Sequence, residues 1–248
     1  MSQNITVTGM VLSATPIGEY DRRVVLLTKE RGKVSAFAKS ARRQNSVLMG
    51  MTNPFTFGEF VLYEGRTSYS LVQANVSNYF MELSTDFEGA YYGFYFLEIA
   101  DYYAREFNDE TQTLKLLYQT LRALASKRIP YELVRCIYEL KMLVINGEYP
   151  EMFQCACCGN KKQLVCFSSR NRGVVCGQCT GRTSDGIEVD NSTVYALQYI
   201  VSSSIEKLYT FTVSSDVLVQ LQKVIKHYLS MYVDKKFKSL EILETCLK

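Results

Sequence analysis

The spacing of apolar and polar positions changes rhythm near Ser84. Before it, apolar residues alternate with polar ones in short runs rich in β-branched side chains, the period of a half-buried strand. "ITVTGMVLSA", "RRVVLLT", "KVSAFAK", "FTFGEFVLYE" and "TSYSLVQANV" are five such runs within the first eighty residues. Gly32 and Gly65 stand in the connections of two hairpins, where glycine can take a positive φ. One long interruption, Ser40–Pro54, separates the third run from the fourth. Five short strands in one small unit predict a compact barrel of the OB type, and an SH3-like barrel fits the same pattern.

Beyond Ser84 the period becomes helical. Thr85 and Glu88 have capping-box spacing, and Phe87, Ala90, Tyr91, Phe94 and Leu97 follow at helical intervals. Asn108 or Asp109 can cap a second helix with Leu114, Leu117, Tyr118, Leu121 and Leu124 on its buried stripe. Pro130 starts a third, lined by Leu133, Ile137, Leu140 and Val144 and ended by Asn146-Gly147 and Pro150. Later, Ser192 opens a short helix, and Ser214 or Ser215 a long one through about Tyr232. The expected class is therefore α+β: a five-stranded OB-fold barrel over residues 1–80, then an all-α domain over 81–248. A cysteine module at about 151–186 is inserted in the latter.

That module changes the picture most. "CACCGNKKQLVCFSSRNRGVVCGQC" (Cys155–Cys179) holds six of the eight cysteines. Cys155-x-x-Cys158 and Cys176-x-x-Cys179 stand seventeen residues apart, the spacing of four-thiolate zinc sites. Two thiolates three residues apart on a tight turn reach one ion, and a second such turn completes a tetrahedron. "QLVCF" and "RGVVC" are expected to pair as a hairpin around "SSRNR". Cys157 competes poorly as a ligand at its spacing, and Cys166 is expected to be a small buried apolar residue. Four cysteines close the shell, so the expected cofactor is one structural Zn²⁺ on Cys155, Cys158, Cys176 and Cys179, not a catalytic metal.

Composition narrows the rest. With 47% apolar and 21% charged residues the chain reads as globular, not disordered. The opening "MSQNITVTGM" has no basic-then-apolar leader pattern, and "AYYGFYFLEIADYYA" is interrupted by Glu98 and Asp101. A cytoplasmic location, no membrane partner, and thiols used for metal rather than disulfides are expected. No phosphate loop, dinucleotide fingerprint or nucleophile elbow is present. The only histidine, His227, is expected to be an ordinary partly exposed residue. A Ser-His or Cys-His pair is not expected, and no catalytic residue is assigned.

The net charge of +3 conceals a division. Residues 1–80 carry nine Lys/Arg against five Asp/Glu, 81–150 seven against eleven, and 151–248 twelve against nine. The densest run, Gly18–Arg43, carries Arg22, Arg23, Lys29, Arg31, Lys33, Lys39, Arg42 and Arg43 against three acids. Tyr20, Phe37, Tyr63 and Tyr69 lie near it. OB barrels bind single strands with a cationic groove and aromatic platforms, so these eight cations are the candidate DNA-binding residues.

"GEYDRRVVLLTKERGKVSAFAKSARR", "NPFTFGEFVLYEGR" and "SYSLVQA" resemble the N-terminal domain of the bacterial RecO family of DNA repair and recombination proteins. The likeness continues through "YELKMLVINGEYPEMFQCACCG" to the closing "KKFKSLEIL". It implies an OB-fold, a helical domain and, where four cysteines are kept, a zinc module. It also implies a non-enzymatic mediator of the RecF pathway that binds single- and double-stranded DNA and anneals complementary strands. With RecR, such a protein helps load recombinase onto DNA coated by single-strand-binding protein (SSB). The implied partners are DNA, RecR and the SSB C-terminal tail, in a bacterial, nucleoid-associated setting. Cys157 and Tyr20 depart from the family's usual pattern. The competing expectation is a zinc-ribbon protein–protein interaction module without primary DNA activity. A hydrolase using carboxylates alone has no motif behind it.

Overall fold

The computed structural model describes residues 3–246. Packing divides the chain into two compact units, Met1–Ala125 with Phe237–Lys248, and Ser126–Lys236.

In the first unit, the five alternating runs form β1 (Gln3–Ile17), β2 (Asp21–Thr28), β3 (Gly32–Ala38), β4 (Phe57–Glu64) and β5 (Tyr69–Asn78). A four-residue helix, α1 (Leu48–Met51), sits in the β3–β4 connection. β1 is long enough to serve two partners. Its first part pairs with β4, from Gln3↔Glu64 to Met10↔Phe57, and its second with β2, from Gly9↔Thr28 to Ile17↔Asp21. At the change of partner the backbones approach so closely that a Cβ on Gly9 would lie 2.5 Å from the Leu27 carbonyl oxygen. β2–β3 and β4–β5 are antiparallel, and β3 meets β5 in parallel through Ala36↔Tyr69 and Phe37↔Ser70. The order β1-β2-β3-β5-β4 closes into a barrel. This is the OB arrangement, and the parallel β3–β5 closure decides for it over an SH3-like barrel.

Alternation does the sorting that makes the barrel useful. Val24 and Leu26 of β2, and Val34, Ala36 and Ala38 of β3, point inward to join Val7, Val11, Phe60, Leu62 and Leu71 in the core. Side chains between them are thereby turned outward. The same unit continues with α2 (Met81–Ser84), α3 (Phe87–Tyr103) and α4 (Thr111–Ser126).

Two local expectations need correction. The N-cap of α3 is Asp86, whose carboxylate accepts from the Gly89 N–H at 3.0 Å, and Thr85 instead ends α2. A carboxylate satisfies the orphan donor and suits the positive helix end better than a hydroxyl. The buried face of α3 is also rotated from the expected stripe: Phe87 and Phe94 are exposed, while Gly89, Tyr92, Gly93 and Phe96 are buried. Aromatic residues occur all around this helix, so periodicity could not choose the face. Gly93 does, since a Cβ there would meet the Phe55 ring at 2.9 Å.

The second unit begins with α5 (Tyr131–Ile145), entered at Pro130 and ended at Asn146, with Gly147 at positive φ as expected. β6 (Leu164–Ser168) and β7 (Gly173–Cys176) form the expected antiparallel hairpin. A two-residue strand, β8 (Ile187–Glu188), adds to the other edge of β6 and was too short to be legible. α6 (Asn191–Ser202) is capped by Asp190, which accepts from the Thr193 N–H at 2.6 Å, so Ser192 lies inside the helix rather than at its start. α7 (Ser215–Leu229) is capped by Ser214. The chain then returns to the first unit as α8 (Lys238–Cys246), where Phe237 packs edge-on to Tyr95 of α3 and Ser239 donates to Glu98 at 2.9 Å.

Candidate nucleic-acid interface and metal centre

The outward residues of β2 and β3 meet in register as Arg23↔Phe37, Val25↔Ser35 and Leu27↔Lys33. Arg23 Nε donates to Ser35 Oγ at 2.7 Å, which fixes the guanidinium on this face. Beside it opens a depression of about 550 Å³ bounded by the cations Arg23, Arg31, Lys33 and Arg66 and by the carboxylates Glu64 and Glu106. Arg31 pairs with Glu64 at 3.6 Å, and Lys33 Nζ donates to the Asp101 carbonyl at 2.8 Å with the Asp101 carboxylate at 3.4 Å. These cations are held in place without being buried. The arrangement offers phosphate oxygens several cationic donors at the edge of the depression.

The remaining cations of the basic run go elsewhere. Arg22 Nη1 donates to Met49 O, Thr52 Oγ1 and Asn53 Oδ1 at 3.2, 2.8 and 2.9 Å, a clasp on the connection that carries α1. Arg42 and Arg43 lie beside the β1–β2 turn: Arg42 Nη1 donates to Gly18 O at 3.3 Å, and the Arg43 guanidinium sits 4.9 Å over the Tyr20 ring. Lys29 and Lys39 are exposed on the β2–β3 turn and at the end of β3. Sequence reasoning passed over Arg66 and Phe107. Arg66 lies in the β4–β5 loop, one of the loops that OB-folds use for binding, and that position was a usable signal. Phe107 lies between α3 and α4, and nothing in one dimension ties it to the barrel.

In the second unit the four expected thiols converge. The Sγ atoms of Cys155, Cys158, Cys176 and Cys179 all lie within 4.8 Å of one another. Cys158 and Cys176 are 3.7 Å apart. A tetrahedron with 2.3 Å metal–sulfur arms has edges of about 3.8 Å, so the cage has the size such an ion requires. Two tight turns make it, closed by Gly159 N–H to Cys155 O at 2.8 Å and Cys179 N–H to Cys176 O at 2.9 Å. Burial pushes the Cys155 thiol up, but the N–H groups of Cys176, Cys157 and Cys158 outweigh it and bring the pKa down to about 6. Cys179 is pushed up to about 12 by its hydrogen bond with Cys158 and by burial. One thiolate forms readily and a further negative charge is resisted, a conflict that a bound cation removes. These residues can hold a metal ion.

The other thiols lie outside the cage. Cys157 accepts from Asn171 Nδ2 at 3.4 Å, Cys136 and Cys166 are buried, and Cys246 is exposed. His227 is exposed, but its Nδ1 lies 2.6 Å from Ser169 Oγ, a Ser-His pair that was not expected. Ser169 is only 1% exposed, so its hydroxyl is closed to a substrate, and the bond serves as a strap between the β6–β7 turn and α7.

A family model described as "Recombination protein O N terminal" matches residues 1–80, and one described as "Recombination protein O C terminal" matches 84–241. The chain belongs to the RecO family. A DNA repair protein RecO from Alkaliphilus metalliredigens is 32% identical over 94% of this chain and 96% of its own length. RecO proteins from Acetivibrio thermocellus and Clostridium perfringens strain 13 are 30% and 29% identical, covering 96% and 95% of this chain. The N-terminal RecO model ends where β5 has finished and α2 begins, so its span is the barrel. The C-terminal RecO model takes in α3 and α4 of the first unit, α5 to α7 of the second, and the thiol cage. No helix among the described residues is long and apolar enough to cross a membrane.

Proposed function

We propose that this chain acts in DNA repair and recombination as a non-enzymatic mediator that binds single- and double-stranded DNA through its OB barrel and anneals complementary strands. The observation that carries this reading is one depression on the barrel surface, where Arg23 of β2, Lys33 of β3, Arg31 of the β2–β3 turn and Arg66 of the β4–β5 loop stand beside an exposed aromatic. Lys29, Lys39, Arg42 and Arg43 extend the positive surface around the same barrel. Such contacts neutralise phosphates without reading bases and release counterions, so strand pairing needs no nucleotide hydrolysis. Two strands held on one polycation repel each other less, which is the mechanism offered for annealing.

Family membership supports the further roles. With RecR, the protein helps load recombinase onto DNA coated by SSB, and it engages the acidic SSB tail, in the bacterial cytoplasm. The soft, closed donor set of Cys155, Cys158, Cys176 and Cys179 supports one structural Zn²⁺, which when bound supplies a cross-link and no reaction step.

The test is annealing of complementary oligonucleotides coated with SSB, with and without the protein. Faster annealing that weakens steeply with salt is expected. Unchanged annealing, or binding insensitive to salt, would sink the proposal.

A further inference from the structure

Phe107 is held where a phenylalanine has no folding reason to be. The residue is 70% exposed, and its backbone adopts a left-handed φ of 63°, a conformation that side chains with a Cβ disfavour. The segment carrying it is nevertheless fixed. Phe107 N–H donates to Arg31 O at 3.0 Å, and Lys33 N–H donates to Arg105 O at 2.9 Å. Glu106 forms a bridge with Gly32. Gly32 has a φ of 65°, and a Cβ there would lie 2.3 Å from Arg105 O, so the glycine lets this loop seat on the β2–β3 hairpin. Six other non-glycine residues among those described share a positive φ, so the backbone alone does not single Phe107 out; what does is an exposed ring on a loop held this firmly against the barrel.

The ring opens onto the depression already described, and so does Phe37, 41% exposed on the outward face of β3. Neither ring contacts another aromatic ring among the described residues. Around them stand Arg23, Arg31, Lys33 and Arg66, but Glu64 and Glu106 reduce the net charge. Phosphate attraction is therefore weaker here than an unopposed cation cluster would provide, and two exposed rings have a contribution to make.

We infer that Phe37 and Phe107 form a stacking subsite for an unpaired base, with the neighbouring cations holding its flanking phosphates. Every base offers a π-face, so the subsite is indifferent to sequence. In a duplex those faces are covered by neighbouring base pairs, and exposing one requires unstacking. The subsite thus gives the barrel a preference for single strands. This rests on the proposed DNA-binding function and goes beyond it by assigning base contact to named rings, one of them supplied by the helical segment.

The test uses the full chain and fluorescence anisotropy with three probes: an oligothymidine strand, a strand of the same length whose bases are replaced by abasic spacers, and a duplex. Phe107→Gly and Phe37→Ser should each weaken binding to oligothymidine about tenfold while moving abasic-strand and duplex binding less than about twofold. Because glycine accepts the left-handed backbone, Phe107→Gly should melt no lower than the parent, which separates lost contact from lost fold. Unchanged oligothymidine affinity in both variants would overturn the stacking subsite and leave the DNA-binding proposal intact. Equal losses on all three probes would also overturn it, since the rings would then not be reading bases. A parent protein that binds none of the probes would overturn both.

Discussion

The barrel and the cysteine-bearing unit use polar groups in opposite ways. On the barrel, cations that line the depression face outward and are positioned by few bonds, as with Arg23 on Ser35 and Lys33 on Asp101. In the second unit polar groups close inward on one another. Four thiols converge on one point, and Lys141, 8% exposed, donates to the carbonyls of Ile200, Val201 and Ser203 at 3.3, 2.9 and 2.7 Å. Groups satisfied by the protein stabilise it, whereas groups left facing water remain available to a ligand. Substitutions in the two regions should therefore have opposite signatures: lost stability with binding little changed in one, lost binding with stability unchanged in the other.

The largest effect is expected at the cage. Cys155→Ser or Cys176→Ser removes a thiolate from a closed set, and in sites of this kind metal affinity and folding are one free energy. Loss of bound zinc and a destabilisation of several kcal/mol are expected, read by metal analysis and thermal melting. Parent protein that purifies without metal and melts unchanged with chelator would break the comparison on this side.

Lys141 comes next. Its ammonium sits at the C-terminal end of α6, where backbone carbonyls lack helical partners and the helix dipole is negative. Burial pulls its pKa down, yet three carbonyl acceptors are there to receive its protons. Lys141→Ala leaves those carbonyls without their donor and should cost about 2–4 kcal/mol, measured by denaturant unfolding. A cost near zero would mean that water replaces the ammonium and that the inward closure is not what stabilises this unit.

On the barrel, replacing Arg42 and Arg43 together with Ala should weaken binding to unrelated sequences alike. The slope of log affinity against log salt should fall by about one and a half for single strands, with the melting temperature unchanged. A drop in melting temperature would place these arginines with Arg22, whose three hydrogen bonds make it a clasp of the α1 connection.

How legible each region was follows from the range of the contacts that build it. The strands were legible because alternation is a local signal, and the cage because two C-x-x-C turns encode their own geometry. The basic run was legible as a run, but not in its division of labour. Whether Arg22 binds phosphate or Thr52 depends on a residue thirty positions away. Phe107 and Lys141 were missed for the same reason, since each takes its meaning from a partner across the fold: Arg31 for the first, the end of α6 for the second. The helix starts fell between. A capping residue was expected near each end, but several Ser, Thr and Asp stand within two residues, and propensity alone does not rank them.

Asp190 turns that last ambiguity into the smallest prediction. Its carboxylate accepts from the Thr193 N–H at 2.6 Å and from Gln220 Nε2 at 3.2 Å. The Thr193 N–H bond leads the causes that hold its pKa below the ordinary aspartate value of 3.8. A carboxyl with a depressed folded-state pKa stabilises above its unfolded value and loses that contribution as pH falls through the folded one. Asp190→Ala should therefore cost about 1 kcal/mol at neutral pH. The difference between the two proteins should stay constant down to the unfolded carboxyl value and shrink below it. Ser192→Ala, one turn position inside the helix, should cost much less. Equal losses from the two substitutions, or a difference that grows on acidification, would return the cap of α6 to Ser192.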